Sequence, residues 1–366
     1  MKGKVWLLLA AMLPGVAMAE NTPQKTDNKS ANQQHGDNIS GYTEGKTYTP
    51  VIHGTVRGKY EYQTQESEGR FEVRNARVSV EGNVLPSVSY KAEIDLSDEG
   101  EIKMLDAFAS VKPWQGVYIS AGQMRVPFTI DAHRSPHKQF FANRSFIAKQ
   151  VGNVRDVGVT AGYTLPTTMP VILEAGAYNG RTILTDQKNS WRKGVSYSAK
   201  AQLFPAKGFN ITLGIQGMKP TTVNQTSYDA GIYYENDRFH IEAEYLYKTY
   251  AHDAYNDVQA VNTFISYGIP VQKVFKRISF LARYDFMTNQ WDGKTFGKTD
   301  GVVDYSKIVT SDAKRQRLTG GITFSLGGPF QTDLRLNFEK YFYGKQEALA
   351  KASEKDKLVL EMMVHF

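Results

Sequence analysis

Cysteine is absent from all 366 residues. Its absence excludes disulfides, zinc–thiolate centres, iron–sulfur clusters and a thiol nucleophile. It leaves an oxidising compartment open, because a fold can manage there without covalent staples. Long hydrophobic runs are missing too: after residue 20 no stretch of 18 apolar residues occurs, so no helical membrane span is expected. There is no Gly-rich phosphate loop of the P-loop type and no Gly-x-Ser-x-Gly elbow. Histidine is sparse and scattered, at 35, 53, 133, 137, 240, 252 and 365. His133 and His137 are four apart, but only Asp131 stands near them as a third ligand, so no metal site is expected and no cofactor is called for. Basic residues are dispersed along the chain, which does not suggest a nucleic-acid surface.

What is abundant points to sheet. Aromatic residues make up 12%, with 21 Tyr and 19 Phe, and there are 31 Gly. That mixture goes with many short strands and tight turns. At 41% hydrophobic there is ample apolar material, which excludes disorder for most of the chain.

The first nineteen residues read as a cleaved secretory leader. Lys2 and Lys4 form a positive start, Val5 to Leu13 a short apolar core, and Ala17-Met18-Ala19 a small-x-small site before Glu20. The apolar core is too short for an anchor. Losing the leader lowers the formal charge from +7 to +5, a mildly basic balance that favours anionic partners. Residues 20–50 are polar and are expected to be a flexible periplasmic arm.

From residue 51 to residue 366 the chain alternates with period two. Val56, Gly58, Tyr60 and Tyr62 oppose Arg57, Lys59, Glu61 and Gln63, while Leu358, Leu360, Met362, Val364 and Phe366 oppose Lys357, Val359, Glu361, Met363 and His365. This is the strand period. About sixteen strands are predicted, near 51–63, 70–82, 87–97, 103–113, 116–127, 155–165, 170–179, 196–204, 208–218, 226–236, 238–249, 259–268, 276–286, 315–326, 331–343 and 356–366. Links after even strands are short; several links after odd strands are long, at 128–154, 180–195, 250–258, 287–314 and 344–355. A soluble sandwich alternates as well, so periodicity alone does not decide. Short turns on one side and long loops on the other predict an all-β, transmembrane antiparallel barrel, apolar towards outer-membrane lipid and polar towards its lumen, in a Gram-negative bacterium. An even strand number returns both termini to the short-turn, periplasmic side. The terminal Phe366 on an alternating strand is the kind of ending that barrel-assembly machinery reads. Lys340 is a charge on the predicted lipid face, near the end of its strand, where the cost of lipid exposure fades. The alternation stumbles around Asn75 and Gln123, where a bulge would shift it.

One stretch carries a family resemblance. Gly122-Gln123-Met124-Arg125-Val126-Pro127-Phe128 resembles the Gly-Gln-x-basic-x-Pro-Phe signature of the phosphate-selective porin O and P family. Val154-Arg155-Asp156-Val157-Gly158-Val159 is similar to that family's Arg-Asp-hydrophobic-Gly-hydrophobic signature, and Arg74-Asn75-Ala76-Arg77 to its second-strand basic pair. Weaker echoes are Tyr178-Asn179-Gly180 and Ala282-Arg283-Tyr284-Asp285. The resemblance implies a sixteen-stranded barrel, usually a homotrimer, through which small anions, phosphate or polyphosphate among them, diffuse passively. It also implies that the third external loop, 128–154, folds inward.

That loop's composition suits a constriction. From Pro127 to Asp156 it holds Arg134, Lys138, Arg144, Lys149 and Arg155 against Asp131 and Asp156, a balance of +3. His133 and His137 would add charge at mildly acidic pH, and Phe140, Phe141, Phe146 and Ile147 would anchor the loop on the wall. Basic side chains lower the barrier for anions. The candidate anion-binding residues are Arg125, Arg134, Lys138, Arg144 and Lys149 in and beside the loop, with Arg57, Lys59, Arg77 and Arg283 on the wall. Lys91, Lys200, Arg277, Arg317 and Arg335 share that wall face, as do the acids Glu93, Asp95, Glu242, Glu244 and Asp285. The plainer role for each wall base is a salt bridge to a neighbouring acid. An enzyme is not expected, since His240 and Ser279 lie on strands too far apart to pair. A non-conducting receptor or structural barrel, binding a partner through loops 180–195 and 287–314, is the alternative.

Overall fold

Polar and apolar side chains that alternate one by one sort onto two faces only if the chain is extended. The computed structural model describes residues 48–98, 100–148, 155–165, 167–180, 191, 194–218, 223–253, 255–271, 273–289, 298–299, 302–303, 314–344 and 354–366. The expected leader (1–19), the arm up to residue 47, Lys149, and much of loops 180–195 and 287–314 lie outside the described residues. Residues 48–50, the end of the arm, are exposed.

The strands are β1 (Val51–Gln63), β2 (Glu68–Leu85), β3 (Val88–Asp98), β4 (Glu101–Val111), β5 (Val117–Arg125), β6 (Arg155–Leu165), β7 (Val171–Tyr178), β8 (Ser196–Leu203), β9 (Phe209–Met218), β10 (Gln225–Glu235), β11 (Phe239–Tyr250), β12 (Val258–Pro270), β13 (Phe275–Met287), β14 (Lys298–Thr299), β15 (Val302–Val303), β16 (Arg315–Leu326), β17 (Gln331–Tyr343) and β18 (Lys357–His365). β14 and β15 form a separate two-stranded sheet. The other sixteen form one closed antiparallel barrel in chain order, with β18 returning to β1. Their bounds differ from the sequence expectation by at most three residues at either end.

The barrel is inside-out relative to a soluble protein. Leu358, Leu360 and Met362 of β18 are 42–53% exposed, whereas Glu361 between them is fully buried. Arg57, Lys59 and Glu61 of β1 are buried, while Val56 is 48% exposed. Only a lipid exterior and a polar interior make that arrangement favourable. The seam closes by β1–β18 pairing from Thr55↔His365 to Gln63↔Lys357. Beyond it, Phe366 N–H donates to Gly54 O at 3.0 Å and Gly54 N–H donates back at 2.8 Å. Lys340 is paired with Asp356 at the end of β17, so its charge does not face lipid alone.

The stumble near Asn75 is a bulge of its own strand, whereas β5 keeps its register through Gln123 and the bulge there is on the neighbouring β4. Arg57 pairs with Asn75 and Gly58 with Val73, which leaves Arg74 as the extra residue of β2. The insertion flips parity, so Arg74 and Arg77, three apart, both meet acids of β3: Arg74 pairs with Asp98, and Arg77 with Asp95 at 2.8 Å. Near Gln123 the extra residue is Leu105 of β4, between Met104 and Asp106. The Gln123 amide, on the neighbouring strand, donates to Met104 O at 2.7 Å and Leu105 O at 2.8 Å, supplying donors that the ladder no longer provides.

Candidate functional site

The segment that links β5 to β6 is described as far as Ala148, and it hydrogen-bonds to inner-face side chains around most of the barrel. Thr129 O accepts from Lys200 of β8 at 3.1 Å. Arg134 makes a two-pronged contact with Glu242 of β11, one arm at 2.9 Å. Gln139 Oε1 and Ala142 O accept from Arg57 of β1 at 2.9 and 2.7 Å. The Asn143 amide donates to Glu61 of β1 and Glu339 of β17 at 3.1 and 3.0 Å. Arg317 of β16 donates to Arg144 O at 2.8 Å.

Two wall glycines make room for this chain. A Cβ at Gly214 of β9 would stand 2.9 Å from Phe128 O, and one at Gly231 of β10 would stand 2.4 Å from the Ile130 Cδ1. Sequence reading missed both seats; a glycine inside a strand, on the polar face, is the signal for such an approach. The aromatic residues fix the far end. Phe146 and Ile147 pack with Leu246, Tyr250, Val258 and Met287, and Phe141 packs with Phe264 and Leu281.

Most of the predicted wall bases are paired. Arg57 bonds Glu361, Lys59 lies 3.1 Å from Glu61, Arg77 is paired with Asp95 and Glu93, and Arg283 lies 2.8 Å from Asp285. Lys91 reaches Glu81 at 3.4 Å, and Arg335 reaches Glu361 at 2.7 Å. Arg317 bridges Asp285 and Glu339. The wall is thus an alternating ladder of fixed charges, each partly cancelled by its neighbour. Lys138 is exposed near the short-turn end, beside His137.

Arg125 and Arg144 differ. Neither guanidinium has a carboxylate oxygen within 4.0 Å among the described residues. Arg144 donates to Asp131 O at 3.0 Å, Ala132 O at 3.4 Å and Arg134 O at 3.0 Å. Arg125 donates to His133 O and, at 3.5 Å, to the same Ala132 O. Two guanidiniums therefore meet over one carbonyl, held by backbone rather than by acid. Burial pushes Arg144 well below the usual guanidinium range; Asp131 opposes this, and the charges of Arg125, Arg77 and Arg57 add to it. By contrast, burial would lower Arg134, but Glu242 outweighs it and raises the group. Burial would raise Asp131, yet Arg134 and Arg144 hold it below the usual carboxylate range.

The expectation that the loop histidines would carry charge at mildly acidic pH needs correction. His133 is pushed well below its ordinary value by burial and then by Lys200 and Arg125. His137 is pushed down to about 3, by burial first and then by His365, whose ring stacks on it at 3.7 Å between centroids, and by Lys138 and His53. A detached segment would titrate His137 near its ordinary value of about 6.5. The docked state therefore holds its full advantage above that pH and loses it as pH falls towards 3, because only the detached state binds the proton. Current noise from segment opening is expected to grow between pH 6 and pH 4 in single-channel records and to shrink in His137→Gln. Equal noise at pH 4 in both proteins would remove His137 from the account.

Comparison with known proteins agrees with this geometry. Residues 48–225 match the family model described as phosphate-selective porin O and P. No curated protein matches the sequence. Among solved structures, the fold is similar to the anion-selective porin from Comamonas acidovorans (12% identity, TM-score 0.58, covering 87% of this chain and 98% of that one). It is also similar to Salmonella typhi OmpF in complex with daunomycin (11%, 0.60, 87% and 97%) and to the trimer form of OmpT from Vibrio cholerae (12%, 0.55, 87% and 98%). Residues 48–225 match that family's model, and together with a closed sixteen-stranded barrel of polar interior and apolar exterior this supports an outer-membrane channel for small solutes.

Proposed function

We propose that the barrel passes small anions by passive diffusion and that segment 126–148 narrows its lumen to the point where charge decides passage. The observation that supports this most is the pair Arg125 and Arg144. Elsewhere on the wall the bases that line it largely spend their charge on acids, whereas these two keep a positive field that no contacting carboxylate cancels. Arginine presents a planar fork that suits phosphate or carboxylate oxygens, and a site built from backbone-held guanidiniums binds loosely enough for the ion to leave. The neighbouring Arg77 and Arg155 add little to that field, because Arg77 is paired with Asp95 and Glu93 and Arg155 with Asp106. The family's name supports phosphate as one of the anions. The trimer form of OmpT supports assembly as a homotrimer, and Phe366 is the natural handle for barrel assembly.

The test is a planar-bilayer measurement in a KCl gradient, followed by phosphate titration. The zero-current potential is expected to favour chloride. Phosphate is expected to reduce the chloride current at concentrations well below that of the chloride. Zero conductance from protein shown to be folded would sink the channel reading.

A further inference from the structure

Below segment 130–140, towards the short turns, the lumen holds a cavity of about 430 Å³. Its lining residues on β10, β11, β13, β16 and β17 stand near the strand ends that meet the short links, which places its mouth on the periplasmic side. The size falls within the range of small-molecule sites, which combine an apolar body with a few placed polar groups.

Part of the lining is aromatic. Phe140 and His240 lie 4.4 Å apart between centroids, and Tyr233 stacks on His240 at 5.4 Å with 23° between planes. Leu281 and Ile130 continue the apolar surface. The rest is polar and biased towards positive charge: four basic side chains, Arg134, Lys138, Arg277 and Arg335, against the acids Glu235 and Asp333.

Some of that polarity has no partner among the described residues. Arg335 is 1% exposed; its two terminal nitrogens are taken by Glu361 and Asp333, but its Nε has no hydrogen bond. Thr323 is 7% exposed, and its hydroxyl is unpartnered. The Nε of Arg277 is unpartnered as well. Buried donors left idle cost free energy, and an acidic ligand in the cavity would relieve that cost.

We propose that this cavity is a resting site for monoanionic aromatic carboxylates, with the ring on the Phe140–Tyr233–His240 surface and the carboxylate on Arg277, Arg335 and Thr323. The proposal rests on the channel reading and adds to it a ligand class. Inorganic phosphate would use the charge and leave the ring surface empty. A planar aromatic acid uses both, through offset or edge-on ring contacts and charge-assisted hydrogen bonds.

Benzoate, cyclohexanecarboxylate and acetate carry the same charge and separate ring, bulk and charge effects. Each is titrated from either side of a bilayer holding the purified protein while chloride current is recorded. Benzoate is expected to block from the short-turn side at one-tenth or less of the acetate concentration, with cyclohexanecarboxylate between them. Arg277→Gln and Ser279→Trp, each checked for heat-modifiable gel mobility as proof of a folded barrel, are expected to raise the benzoate concentration needed by tenfold or more. Equal block by benzoate and acetate would overturn the proposal, as would benzoate block unchanged in both variants. The zero-current potential from the same records reports anion preference independently, so failure of this site and failure of the channel reading are told apart.

Discussion

Arg144→Glu is expected to carry the zero-current potential from the chloride side across to the potassium side. Among the described residues the side chain bonds to the carbonyls of Asp131, Ala132 and Arg134 and to no acid, so its charge is not already cancelled by a contacting carboxylate. A unit charge about 8 Å from an ion contributes roughly 2 kcal/mol at an effective dielectric of about 20. Ionic screening trims that value at physiological salt. Replacing plus by minus doubles the change and acts in opposite directions on anions and cations. The anion-to-cation permeability ratio should therefore fall by at least about tenfold. Arg144→Gln should give about half the change in free energy, and Arg125→Gln should resemble it, since both guanidiniums share Ala132 O. The glutamate cannot donate to the three carbonyls, so the segment loosens and total conductance rises as well. Selectivity is the readout that separates the two effects: loosening alone would move conductance and leave the sign of the potential in place. An unchanged potential in both Arg144 variants, from barrels shown to be folded, would remove the arginine pair from the selectivity account.

The barrel was legible in the sequence because its cause is local. A strand between lipid and lumen must alternate, so each strand announces itself within its own residues, as β1 does from Val56 to Gln63. The bulge at Arg74 was also visible as a break in alternation, because an inserted residue flips every side chain after it. The pairing of the charges was not visible. Glu361 meets Arg57 across the seam, 304 positions away, and Asn143 reaches Glu61 and Glu339 from a segment that has no period at all. Those contacts depend on closure and on the path of the loop, neither of which leaves a mark in the spacing. Composition therefore named the right residues for the lumen but not which of them keep a free field. Arg57, Lys59, Arg77 and Arg283 are lumen bases with acid partners, whereas Arg125 and Arg144, nineteen positions apart, differ from them only in what lies within reach.

Loss of Glu361 should be the most destabilising single change on the wall. Its carboxylate is fully buried and accepts from Arg57 Nε at 2.9 Å on one side and from Arg335 Nη1 at 2.7 Å on the other. Arg57 and Arg335 are themselves 2% and 1% exposed, so both guanidiniums are left poorly solvated when the carboxylate goes. Breaking a buried pair by removing one partner costs about 3–5 kcal/mol, far more than losing a surface pair. Here the lower end applies, because Arg57 retains Gln139 and Ala142, and Arg335 retains Asp333. Glu361→Leu should accordingly lower the stability of the folded barrel by about 3 kcal/mol in a urea titration, through a lower midpoint at unchanged slope. Adding Arg335→Met should recover part of that loss, since one of the two stranded charges is then gone and an apolar pair replaces an ionic one. If the double variant is weaker than the single by the full cost of a second buried contact, packing rather than unpaired charge is what Glu361 supplies. The same substitution also reaches the pore. Arg57 is the link between the seam strand β1 and residues 139–142, so a guanidinium that has lost Glu361 holds that part of the segment less firmly, and the variant should show open-channel noise that the parent lacks.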